Sequence, residues 1–410
     1  MKINCLELFA GCGGLGYGFH QTEGFHIVCS NELEANIAET YKANFPATHM
    51  IVGDITQPDI KAAAYAHFNM TGPTCDVILG GPPCVAYSMA GHRHSRDPRG
   101  QLFKEYVAMV AHLKPKVFVM ENVKGILTIL HDKPVLTPAE QKTAEAYYAL
   151  ETEKLNLLAK KKVWSAQKGT SASAAGTGAS ASASAAAASF PAEDRLKEVN
   201  DALKKSQKLL PQFRVKVTDI IQETLQALGY TVEMKLLNSA NYGVPQKRER
   251  VIFLGVRNDV KQKIQYPAET HNKNGTEGKQ KWVSVRTAID DLKDMPEQGE
   301  HLYTHHSPEF IEKIKKTPIG KSVNPKYMEA FFRCEPDQPS NTVKENHGGV
   351  FIHYEKDRVM TPRELARLQS FPDTFKFKGS KTNMLVQIGN AVPCGLAQAI
   401  AKEVKKMFPA

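Results

Sequence analysis

The feature that most constrains this chain lies at its start. Ile3 to Leu8 alternates, then fills with apolar residues, and runs directly into FAGCGGLGYGF, Phe9 to Phe19. A short apolar run of this kind predicts a buried strand. Behind it, Gly11, Gly13 and Gly16 fit the spacing G-x-G-x-x-G. Glycines at those positions let the backbone turn sharply, approach a ligand closely, and start a helix against the strand. A strand, a glycine turn and a helix in this order predict an open α/β sheet with a nucleoside-binding first loop.

The following segments keep the same rhythm. A strand over His26 to Cys29 ends in Ser30-Asn31-Glu32, and a helix follows from about Ala35 to Asn44. An acid at the end of the second strand is placed to bind the two hydroxyls of a ribose. Met50-Ile51-Val52 leads into Gly53-Asp54-Ile55, where Asp54 is placed to accept a hydrogen bond from an adenine amine. These residues alone fit NAD as well as S-adenosylmethionine.

The fourth strand, Val77-Ile78-Leu79, runs into GGPPCVAYS, Gly80 to Ser88. Its two prolines fix their backbones and stop a helix from starting, so Cys84 is presented from a rigid turn. The next stretch, GHRHSRDPRG from Gly91 to Gly100, is basic and bounded by glycines. A held thiol beside such a loop suits a nucleophile acting on something anionic. A helix over Leu102 to Leu113 and a strand over Val117 to Met120 then deliver Glu121-Asn122-Val123. Taken alone, a lone cysteine is more often a small buried hydrophobe, and Glu121 an exposed surface acid. Ligands of open parallel sheets bind outside the carboxyl ends of the strands. Glu32, Asp54, Cys84 and Glu121 would then face one crevice.

Composition changes between about His131 and Pro211. Thr137-Pro138-Ala139-Glu140 reads as a capping box with proline in the first turn. A charged, Ala- and Leu-rich helix is predicted to Val163, and a second from Ala192 to Leu210. Between them Ser165 to Ser189 is nearly all Ala, Ser, Gly and Thr, and reads as a disordered tip. The span 131–211 is thus an inserted helical hairpin, and its Lys160-Lys161-Lys162 cluster a solvated face.

Val217 to Leu228 is an amphipathic helix closed by Gly229, and Thr231 to Leu236 a strand. In NSANYGVPQKRERVIFLGV, Gln246, Arg248 and Arg250 alternate, so on an extended chain they share one side. That pattern suits recognition of a planar hydrogen-bonding group, or else a solvated charged face. The span 257–355 turns irregular and reads as a smaller, loop-rich domain. Leu365, Leu368 and Phe371 form a core stripe in the helices that close the chain.

A formal charge of +10 and a pI near 9.0 favour a polyanionic partner, either nucleic acid or a membrane surface. The seven cysteines are scattered without a CxxC pair, which argues against a disulfide framework and a metal site and for a reducing compartment. Glu7 within the first apolar run argues against a signal peptide. No uninterrupted apolar stretch approaches a membrane span. A soluble intracellular protein is expected.

The blocks FAGCGGLG, GGPPC, ENV, QKRER, RELARLQSFP and QIGNAVP, in this order between Leu6 and Ala401, resemble the cytosine-5 DNA methyltransferase family, in its compact stand-alone form. A dehydrogenase has no use for GGPPC, ENV or QKRER. The resemblance implies a doubly wound, Rossmann-like α/β domain that binds S-adenosyl-L-methionine and releases S-adenosyl-L-homocysteine. That domain would comprise 1–130 and 212–256, completed by 356–410, with a target-recognition domain over 257–355. Carried over by motif, Phe9, Gly11, Cys12, Gly13, Gly14, Glu32, Leu33, Asp54, Ile55, Pro82, Asn390 and Ala391 would line the cofactor pocket. Cys84 would be the nucleophile, and Glu121, Arg248 and Arg250 would hold the target base. Ser88, Arg93, Arg96 and Arg99 would contact DNA. Gln246 and Asn390 would also brace the site or the small domain.

The implied reaction is methyl transfer to carbon 5 of cytosine, at a short sequence in double-stranded DNA, through a covalent Cys84 adduct on a flipped-out base. A monomer is implied, with a restriction endonuclease as its cognate partner, in the cytoplasm of a prokaryotic or viral host, or the nucleus of a eukaryote. The alternative substrate is tRNA. That branch carries a Cys-Phe-Thr motif in the small domain, which this sequence lacks. SNTVKENHGGVFIH, Ser340 to His353, follows the family's pattern only in part.

Overall fold

The computed structural model describes residues 2–69, 74–83, 101–173, 189–326, 330–345 and 351–408. Seven strands form one sheet: β1 Ile3–Leu8, β2 Phe25–Glu32, β3 His49–Val52, β4 Val77–Gly80, β5 Val117–Val123, β6 Tyr230–Asn238 and β7 Glu249–Arg257. Their order is β3-β2-β1-β4-β5-β7-β6. Strands β1 to β5 are parallel, and β7 lies antiparallel between β5 and β6. The central strands are buried on both faces, as the apolar runs Val77–Leu79 and Val117–Met120 require. Helices α1 Gly14–His20, α2 Ala35–Asn44, α3 Pro58–Asn69 and α4 Phe103–Leu113 supply the early crossovers.

The helical hairpin consists of α5 Pro138–Ser173 and α6 Glu193–Ser206. Together with the flanking chain it forms a compact unit over 127–220, with a core of its own around Ala144, Tyr148, Leu157, Leu196, Val199 and Phe213. Thr137 and Glu140 form the expected capping pair. Two expectations are corrected. α5 continues past Val163 to Ser173, through a segment that holds no proline and in which Gly169 is carried as an interior helical residue. The second helix stops at Ser206, and a 3-10 turn, Gln207–Leu209, follows it. The tract 174–188 lies outside the described residues.

The chain returns through α7 Val217–Ala227, and closes with α8 Pro362–Leu368, α9 Lys381–Asn390 and α10 Cys394–Lys405. By length and composition the stretch Lys381–Lys405 is apolar enough to cross a bilayer. Here it is two helices broken at Pro393, with α10 packed on α1. A Cβ at Gly18 would lie 2.4 Å from that of Ala397, so α1 and α10 meet at backbone distance.

The irregular stretch holds only short elements, such as the pair Phe332–Arg333 and Phe351–Ile352. Val285, Ile289, Cys334, Val343, Phe351 and Tyr354 share one hydrophobic cluster with the sheet. The described parts of 257–355 accordingly belong to the same compact unit as the strands.

Candidate functional site

The first loop is built as its glycines require. Gly11 and Gly13 have φ of +55° and +97°, and Phe9 itself has φ +53°. A side chain at Gly13 would strike Phe45 and Tyr41, and one at Gly14 would meet the carbonyl oxygen of Val392 at 2.3 Å. Ala391 is buried beside Gly14. Cys12 is buried with its thiol against the Gln387 carbonyl oxygen at 3.6 Å, and burial pushes its pKa far up. It therefore serves as packing rather than as a reactive thiol.

Glu32 ends β2 with its carboxylate turned onto the loop. Oε2 accepts the Gly11 N–H at 2.7 Å and Oε1 the Glu34 N–H at 3.0 Å. Burial raises its pKa, and the backbone donors oppose that shift. Each oxygen keeps a further lone pair for a hydroxyl. Leu33, the next residue, is 58% exposed. Asp54 follows β3, its Oδ1 accepting the Thr56 N–H at 2.9 Å, and Ile55 is buried beneath it. An acid for hydroxyls, an uncovered apolar side chain and a second acid fit an adenosyl group. Asn390 is exposed and donates to Glu345 at 3.1 Å, an interaction suited to bracing.

The second group sits at the carboxyl ends of β4 and β5. Here β5 runs three residues beyond the predicted end, so Glu121 and Asn122 are part of the strand. Arg250 Nε lies 2.6 Å from Glu121 Oε1, both side chains being 11% exposed. A Cβ at Gly81 would lie 2.8 Å from Glu121 Oε2, so only glycine leaves room for this carboxylate. Asn122 Nδ2 donates to the Pro82 carbonyl at 3.0 Å and ties the proline turn to β5. Cys84, Ser88, Arg93, Arg96 and Arg99 lie outside the described residues.

Gln246, Arg248 and Arg250 do not act on one common target in this structure. Only Arg250 reaches Glu121. Gln246 donates to Gln369 Oε1 at 2.8 Å and accepts the Val343 N–H at 2.8 Å. Arg248 is buried and donates to the carbonyls of Val343 and Gly389 at 2.6 and 2.9 Å. Burial, with Arg250 nearby, lowers its pKa.

Sequence reasoning missed three contributors. Glu7 was read only as evidence against a leader, yet its buried carboxylate accepts the Gly16 N–H at 2.7 Å and the Tyr41 hydroxyl at 2.6 Å. Burial raises its pKa to about 7. A carboxylate between two leucines inside a buried strand was the available signal. The tether from Asn122 and the brace from Gln369 carried no sequence signal beyond their motifs.

The chain matches C-5 cytosine-specific DNA methylase over residues 3–158 and 202–406. The chain belongs to the C-5 cytosine-specific DNA methylase family. It is a DNA (cytosine-5)-methyltransferase. The methyltransferase is 31% identical to the type II methyltransferase M1.HphI of Haemophilus parahaemolyticus, across 99% of this chain and 88% of that protein. It is 30% identical to M.NgoFVII of Neisseria gonorrhoeae, across 99% and 87%. In fold it is similar to a DNA modification methyltransferase encoded within a prophage of E. coli. The TM-score is 0.64 at 20% identity, over 99% of both chains. The NAD reading of the glycine loop is thereby set aside.

Proposed function

We propose that the methyltransferase uses S-adenosylmethionine and Cys84 to methylate carbon 5 of a flipped-out cytosine, within a short sequence in duplex DNA. The observation that carries this is the Glu121–Arg250 pair, held at 2.6 Å beside the tethered Pro82 turn that leads into Cys84. Carbon 5 of neutral cytosine is a poor nucleophile. Addition of the Cys84 thiolate to carbon 6 breaks the aromaticity and makes carbon 5 enamine-like. Glu121 accepts from the exocyclic amine and, in its protonated form, gives its proton to ring nitrogen 3 and takes it back when Cys84 leaves, while Arg250 polarises the ring carbonyl. S-Adenosylmethionine, when bound, supplies an electrophilic methyl on a sulfonium. Gly11, Gly13, Glu32, Leu33 and Asp54 would hold its adenosyl part. A water then takes the carbon 5 proton, and Cys84 leaves.

A base inside a stacked duplex cannot reach these groups, so it must be extruded. Arg93, Arg96 and Arg99 are the basic residues proposed to contact its phosphates. The relatives named above are type II methyltransferases, which supports a bacterial setting and a cognate restriction endonuclease as partner.

The test is transfer of labelled methyl from S-adenosylmethionine to duplex DNA and to tRNA in parallel, followed by bisulfite sequencing. Label confined to cytosines of one DNA motif is expected, whereas label in tRNA alone would overturn the substrate.

A further inference from the structure

Arg248 stands two residues before Arg250, and its buried cation takes backbone carbonyls instead of a carboxylate. Those carbonyls come from separate places. Val343 precedes the closing helices, and Gly389 lies in the last turn of α9, where helix carbonyls lack intrahelical partners. A cation there faces the negative end of the helix dipole, which makes its burial tolerable. Gln369 donates to the Ile388 and Ala391 carbonyls at 2.6 and 3.3 Å, completing the same cap.

From this cap the packing runs on without a gap. A Cβ at Gly389 would lie 2.4 Å from the Glu345 nitrogen, so the 343–345 segment rests directly on α9. Three residues further on, the Val392 carbonyl oxygen sits 2.3 Å from where a Cβ of Gly14 would be. On the other side, Ser239 fixes the backbone of Arg248 through its N–H and its hydroxyl, both 2.9 Å from the Arg248 carbonyl oxygen. One side chain therefore joins the strand that carries Arg250 to the wall behind the first glycine loop.

We infer that Arg248 is a positioning residue that sets the cofactor wall and the base-holding pair together, rather than a group that holds the base. The inference rests on the function proposed above. It draws on the forked guanidinium, whose two terminal nitrogens reach the two carbonyls separately; a lysine replaces that rigid planar fork with one compact ammonium.

The test compares Arg248→Lys with Arg250→Lys in the full-length protein. Calorimetry with S-adenosylhomocysteine and no DNA is read beside kcat. Arg248→Lys should weaken S-adenosylhomocysteine binding by roughly tenfold, within the usual span of coupling between sites, and should lower kcat as well. Arg250→Lys should lower kcat and leave that affinity within about twofold. Glu345→Ala removes the exposed partner of Asn390 on the same strut, and should weaken binding in the same direction by a smaller factor. It decides the matter if Arg248→Lys does not fold.

Unchanged affinity in Arg248→Lys, with kcat alone reduced, would overturn the inference and restore a base-holding role. Lower thermal stability with unchanged affinity of the folded fraction would overturn it too. Wild-type protein that bound no S-adenosylhomocysteine would contradict the proposed function itself.

Discussion

Arg250 reaches Glu121 diagonally across two antiparallel strands: Arg250 is in register with Val123 and Glu121 with Ile252, yet Nε and Oε1 lie 2.6 Å apart. A pair so shielded from water is held by its partners on both sides. Removing one leaves the other buried and uncompensated. Arg250→Ala should therefore cost about 3 kcal/mol in urea unfolding. Glu121→Gln keeps the shape but leaves the buried Arg250 charge uncompensated, so it should also cost stability, and on the order of 100-fold or more in kcat.

Asn122 predicts a different split. Its amide holds the Pro82 carbonyl, and the proline turn leads to Cys84, the proposed nucleophile. Asn122→Ala should lower stability by only about 1 kcal/mol, the worth of one hydrogen bond. Its kcat should fall on the order of tenfold, because small displacements of a reacting group are costly. Stopped-flow turnover beside thermal melts separates the two effects.

Glu7 makes stability depend on pH. Burial raises its folded pKa from the ordinary carboxylate value of about 4.5 to about 7. The unfolded chain thus loses this proton first, and the associated stability is present below about pH 4.5 and lost as pH rises through 7. The loss amounts to about 3 kcal/mol, as an order of magnitude. Glu7→Gln should abolish it, so the stability difference between variant and wild type should move in the variant's favour between pH 5 and 8. Urea titrations at four pH values would show this; a flat difference would contradict it.

Deletion of 174–188 should leave methyl transfer within about twofold, since an Ala/Ser tract buries too little to be needed by the core. An insoluble or inactive product would show that this tract is required.

The middle of the sheet was legible in the sequence because β4 and the first four residues of β5 are buried on both faces and read as bare apolar runs. Ile3–Leu8 and the helix Ala35–Asn44 fall where periodicity put them. β5 was cut short because Glu121 and Asn122 are polar, and a site at a strand's end interrupts the pattern that defines the strand. The helix through Ser165–Ser173 carries no sequence signal of its own, since its Ser, Thr and Gly residues are weak helix formers and only its continuity with the charged helix before it extends α5. The alternation of Gln246, Arg248 and Arg250 was visible, but the three different partners were not. Val343, Gln369 and Gly389 lie far off in sequence, and two of these contacts use backbone carbonyls that any residue could supply.

The central claim is a covalent bond between Cys84 and carbon 6 of cytosine. The most direct measurement uses duplex DNA with 5-fluorocytosine in the methylated motif, since fluorine at carbon 5 cannot leave as a proton does. Wild-type enzyme with S-adenosylmethionine should form a complex stable to denaturant, with the added mass on the peptide bearing Cys84, and Cys84→Ser should form none. Normal methylation of unsubstituted DNA by Cys84→Ser, or an adduct on another residue, would contradict the account.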